Sequence, residues 1–86
     1  MKIGLFRKYL LSKADGSELD PQAKYFVIRY DAAAEHGAAG RAALLEYADK
    51  IQEDCPELAR DLLSELREAP EKDIRVRALF LLMRGA

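Results

Sequence analysis

Tryptophan is absent, and cysteine and histidine occur once each, as Cys55 and His36. A single cysteine excludes an intrachain disulfide and a cysteine metal cluster, and it suits a reducing compartment. One histidine leaves no His/Cys spacing for zinc, and His36 beside Gly37 reads as an exposed connector residue. Cys55 would need an imidazole base to act as a nucleophile. Nothing in the sequence brings His36 to it, so Cys55 before Pro56 reads as a small buried residue at a helix junction. Long apolar runs are missing too. The longest is Ala78–Met83, far below the roughly 18 residues of a membrane span. Met1–Phe6 is followed at once by Arg7 and Lys8, which leaves no apolar core for a signal peptide. The expectation is a cytoplasmic protein with no membrane partner. Gly37-Ala38-Ala39-Gly40-Arg41 lacks the further Gly, Lys and Ser/Thr of a phosphate-binding fingerprint and reads as a flexible connector. No cofactor, metal or catalytic set is expected, and hence no enzyme.

What is present is an ordinary globular composition: 86 residues, 50% apolar and 34% charged. That length is one domain, residues 1–86. The net charge of −1 conceals a division. Residues 1–30 carry a net of +3, residues 31–73 a net of −7, and residues 74–86 a net of +3. Basic ends flank an acidic middle, either because the segments attract one another in the fold or because an acidic face meets a basic partner.

Lys24–Asp31, K-Y-F-V-I-R-Y-D, has the strongest strand composition, since Tyr, Phe, Val and Ile fit a pleated, half-buried surface. Phe26 and Ile28 are expected to face inward, because Arg29 lies on the alternate face. Leu5–Lys13 is the second strand candidate. Between them, Asp15-Gly16 and Asp20-Pro21 mark two corners of a long loop. The fold expected is therefore α+β: an antiparallel β-hairpin, about 5–13 and 24–31, packed against two or three α-helices at about 40–54, 56–68 and 71–84.

The helix expectations rest on apolar spacing. Leu44, Tyr47, Ala48, Ile51 and Cys55 form one stripe, with Arg41 off it; Gly37 and Gly40 argue against a helix running through them. Pro56 and Glu57 open the second helix, with Leu58, Ala59, Leu62, Leu63 and Leu66 as its apolar face. Pro70 through Asp73 repeat that start signal. The segment after Ile74 is apolar on nearly every side, which makes it either central to the core or covered by a partner. A strand is the rival reading there.

Three surfaces are candidates for function. Glu53, Asp54, Glu57, Asp61 and Glu65 form an acidic rim suited to a basic protein partner, including a groove that otherwise takes nucleic acid. Leu79, Phe80, Leu82 and Met83 suit self-association as a homodimer. Arg7, Lys8, Lys24, Arg29 and Tyr25 suit nucleic acid, with cations for phosphate and rings for stacking bases; Lys13, Tyr9 and Tyr30 lie near them in sequence. A pI near 5.8 counts against that last surface, because nucleic-acid footprints are usually basic across the domain.

Lys8-Tyr9, Lys13-Ala14-Asp15-Gly16, Tyr25-Phe26-Val27-Ile28-Arg29-Tyr30-Asp31, Arg41-Ala42-Ala43-Leu44, Tyr47-Ala48 and Pro56–Leu62 together resemble small bacteriophage- and prophage-encoded proteins. Those share a K-Y…D-G hairpin start, a Y-F-V-(L/I)-R strand and an A-x-x-x-Y-A helix. The chain departs from them at Leu10-Leu11-Ser12 and after Pro70. The resemblance transfers no catalytic residues. It implies a non-enzymatic protein-binding module, a phage-type inhibitor of a bacterial host or defence complex of the anti-CRISPR kind. The alternative is a small nucleic-acid-binding accessory protein acting through the basic, aromatic hairpin.

Overall fold

The computed structural model describes residues 9–84, and among these it holds three helices and no strand: α1 (Glu35–Ile51), α2 (Pro56–Leu66) and α3 (Lys72–Arg84). The α+β expectation is corrected to an all-α bundle with a non-helical arm, residues 9–34, leading into it. No ladder joins residues 9–13 to 24–31, and residues 5–8 of the expected first strand lie outside the described residues. The two corners do form. Gly16 N–H donates to Lys13 O and Ala23 N–H to Asp20 O, each at 3.1 Å. Asp15 and Asp20 each accept a bond from the backbone two residues on, the local turn chemistry of aspartate. Gly16 sits at φ 81°, where a Cβ would be strained. Beyond the corners, strand composition alone does not make a strand. A two-stranded hairpin is marginal in water without a further layer, and here the aromatic residues stay outside: Phe26, expected inward, is 73% exposed.

The helices begin and end where elementary chemistry directs. Pro56 occupies the first turn of α2 after Cys55, its missing N–H lost where no intrahelical partner exists. Glu35, Glu57 and Asp73 lie in the three first turns, complementing the helix dipole. The largest departure is at α1, which starts at Glu35 and runs straight through Gly37 and Gly40. Helical glycine costs about 1 kcal/mol, and the packing explains its presence. A Cβ at Gly37 would overlap Ala32 O, and one at Gly40 would lie 2.8 Å from Ile28 Cγ2 and 2.9 Å from Arg29 O. The arm's backbone rests directly on α1, and only glycine leaves it room.

The core lies between the helices. α2 packs on both α1 and α3, which meet each other less extensively. Ala48, Ala59, Leu63, Leu66, Ala69, Ile74, Ala78 and Leu81 are buried. Half of these are alanine, so the helices approach closely and the leucines carry most of the burial, each roughly 1.5–3 kcal/mol. Tyr47, Leu58 and Cys55, expected on apolar faces, are exposed. Among the described residues no helix is long and apolar enough to cross a membrane.

Two outcomes follow for stability. Leu63→Ala should cost about 2–5 kcal/mol, measured by urea unfolding, a large share of the total expected for this length at roughly 0.05–0.15 kcal/mol per residue. Gly40→Ala should destabilise by about 1–3 kcal/mol despite the better helix propensity of alanine, because Ile28 and the arm backbone must move. A stabilised Gly40→Ala protein would show that the arm does not rest there.

Candidate functional site

The arm is held by one buried side chain. Arg41, read from the sequence as lying off the apolar stripe, is 4% exposed. Its Nε donates to Glu71 Oε1 at 2.7 Å and its Nη2 to Oε2 at 2.6 Å, the bidentate fork that guanidinium geometry favours. Its Nη1 donates to Tyr30 O and Ala32 O, both at 2.8 Å. One guanidinium thereby joins the arm, α1 and the α2–α3 link. The Glu71 side chain is 26% exposed. The hydrogen bonds donated by Arg41 are the main force holding the Glu71 carboxyl below the ordinary value of 4.5, and the same bonds, accepted by Glu71, hold the Arg41 guanidinium above its own ordinary value. Four of the five Arg41 N–H donors are thereby committed within the chain.

Further arginines fasten α3. Arg75 donates to Ala69 O and Pro70 O, both at 2.9 Å, closing the α2–α3 link. Arg77 and Arg84 reach Asp49 at 3.5 and 2.9 Å, and Gln52 Nε2 donates to Leu81 O at 3.3 Å. The basic C-terminal segment and the acidic middle attract one another within the chain at these contacts.

With α3 fixed, its two faces separate. Ile74, Ala78 and Leu81 enter the core. Val76, Leu79, Phe80 and Met83 are 56, 44, 59 and 76% exposed. At ~100° per residue these four fall within an arc of about 100° on the opposite side. Of the expected self-association set, Leu79, Phe80 and Met83 lie in this stripe. Leu82 does not, being half-buried against the core. Val76 belongs to it and escaped the sequence reading, although its i, i+3, i+4, i+7 relation to Leu79, Phe80 and Met83 was a legible signal.

The acidic residues are all exposed. Glu53 and Asp54 sit in the α1–α2 turn, while Glu57, Asp61 and Glu65 run along α2 at i, i+4 and i+8. Among the described residues none of the five is in an ion pair; Glu65 accepts a 3.5 Å bond from the Tyr30 hydroxyl. Like charges at i, i+4 cost a few tenths of a kcal/mol per pair.

The basic surface is thinner than expected. Arg29 is taken up by Asp31 at 2.6 Å, with both side chains about 70% exposed, so it stands in solvent paired with its near neighbour and not with the acidic helices. Lys24 and Tyr25 are exposed. Arg7 and Lys8 lie outside the described residues.

Two open clefts lie on the described surface. One of about 160 Å³ lies among Gln52, Glu53, Pro56, Arg60, Leu63, Leu81 and Leu82. The other, about 430 Å³, lies between the arm at Ile28–Asp31 and Glu65. The first contains no hydroxyl, thiol or imidazole, and in the second the Tyr30 hydroxyl meets only the exposed Glu65 carboxylate, at 3.5 Å. Among the described residues no three His, Cys, Asp or Glu side chains are placed to hold a metal ion. No protein-family model matches the chain, and no match emerges from comparison with curated proteins or with solved structures. They neither add to nor correct the resemblance to phage-encoded proteins.

The clamp has an acid signature. A carboxyl whose pKa is depressed on folding contributes stability above its unfolded value, and that contribution fades as pH falls through the folded value. Stability should hold above pH 4.5 and decline below it as Glu71 takes up a proton. Asp31, held low by Arg29, and Asp15, held low by Ser17, act in the same direction, but their contacts are exposed and weak. Glu71→Gln should lower stability at pH 7 and flatten the decline below pH 4.5 in chemical denaturation. An unchanged acid slope would assign the loss to other groups.

Proposed function

We propose that this chain is a non-catalytic protein-binding module whose contact is centred on the outer stripe of α3. The observation that carries this reading is the stripe itself. Four large apolar side chains stand in register on a helix whose opposite face builds the core, and an amphipathic helix of this kind suits an apolar groove read at i, i+3, i+4 and i+7. Four side chains fall short of the roughly 20–30 residues a side of a stable interface. The stripe is therefore the anchor of a wider contact, and the acidic row Glu57, Asp61 and Glu65 supplies a further element for a partner with basic residues near its groove. That row's mutual repulsion is relieved on binding such a partner. The resemblance to phage-encoded proteins supports a bacterial protein complex as the partner, with inhibition by occupying its surface.

The test compares capture by the wild-type chain with capture by variants. Phe80→Ala should weaken partner binding by about 2 kcal/mol, roughly thirtyfold, as truncation of a central aromatic anchor does. Leu79→Glu combined with Phe80→Glu should abolish it, with far-UV circular dichroism unchanged. A bacterial protein retained equally by the wild type and this double variant would overturn the assignment of the stripe.

A further inference from the structure

Lys24–Tyr30 combines strand chemistry with a backbone that no other backbone group engages, Tyr30 O alone being taken up by Arg41. Between Lys24 and Ala33 no backbone–backbone hydrogen bond begins or ends within the described residues. Tyr25, Phe26 and Val27 are 55, 73 and 45% exposed. The segment is nevertheless presented in a fixed place, because Arg41 holds Tyr30 O and Ala32 O and Ile28 lies on Gly40. An exposed β-prone segment with free donors and acceptors is a template for pairing with another chain.

We propose that Lys24–Tyr30 pairs antiparallel with the same segment of a second copy, across a two-fold axis at Val27. The argument for a second copy is self-complementarity. In a symmetric antiparallel pair one residue must face its own counterpart, so few registers exist. Centred on Val27, Phe26 faces Ile28, Tyr25 faces Arg29 and Lys24 faces Tyr30. Each cation then meets an aromatic ring, a favourable pairing, and no charge meets its like. Centred on Ile28 instead, Val27 would face Arg29 and Tyr25 would face Asp31, with both cations away from rings. Releasing Arg29 from Asp31 costs little, since that pair is exposed and such pairs contribute little. This is a contact between chains, in the place of the ladder that the chain does not form within itself, and it stands independently of the α3 stripe.

The test uses the full chain with Cys55→Ser, which removes its one cysteine. Val27→Cys should form a disulfide-linked dimer under mild oxidation at least about tenfold faster than Lys24→Cys, whose counterpart would lie roughly 20 Å away at ~3.3 Å per residue. In sedimentation equilibrium the wild type should associate to a dimer. Val27→Pro should weaken that association at least about tenfold while keeping its helical circular dichroism, because proline removes a ladder donor. Phe80→Glu should leave it intact. A wild type monomeric at the highest attainable concentration would overturn the proposal. So would equal cross-linking at positions 24 and 27, or a dimer lost with Phe80→Glu and kept with Val27→Pro.

Discussion

The placement of the arm depends on a single buried cation. A guanidinium removed from water is costly unless its donors are matched, and Arg41 is matched by a carboxylate on one side and two backbone carbonyls on the other. No buried polar side-chain atom among the described residues lacks a hydrogen-bond partner. The match exists only if three distant stretches arrive together: the end of the arm, the second turn of α1 and the residue before α3. A leucine at position 41 could seal the same gap but would orient nothing. A fork with fixed angles requires Tyr30 and Ala32 on one side and Glu71 on the other.

The two glycines belong to the same device. Gly37 and Gly40 lie four and one residues before Arg41 and face the arm. Without a Cβ at either place, the arm's carbonyls come within reach of the guanidinium. The weak helix propensity of α1's first half is the cost of that approach. It also explains why the helix starts with no side-chain cap at Ala34; tertiary contact holds the first turn in its stead.

Much of α2 and α3 was legible in the sequence, because Pro56 and Pro70 punctuate it and the buried leucines recur at helical spacing. The arm and α1's beginning were not. Strand propensity measures fit to a pleated surface shared with neighbours, and Lys24–Asp31 has no neighbouring strand among the described residues, so its composition misleads. Glycine in a helix window signals either a break or a close approach, and only the position of Ile28 and Ala32 decides between them. Burial of Arg41 was equally hidden, since its partner Glu71 lies thirty residues on. Of the candidate surfaces, the acidic row could be read directly. The α3 stripe was blurred by Leu81 and Leu82, which interrupt it in sequence and turn inward in space.

The most direct test of the account is the contact between arm and helix in solution. In a nuclear Overhauser spectrum of the wild-type chain, the γ2-methyl of Ile28 should show a cross-peak to the α-protons of Gly40. In Arg41→Ala that cross-peak should vanish while the helical amide pattern of α2 and α3 persists. No cross-peak in the wild type, or one undiminished in Arg41→Ala, would contradict the claim that this arginine holds the arm in place.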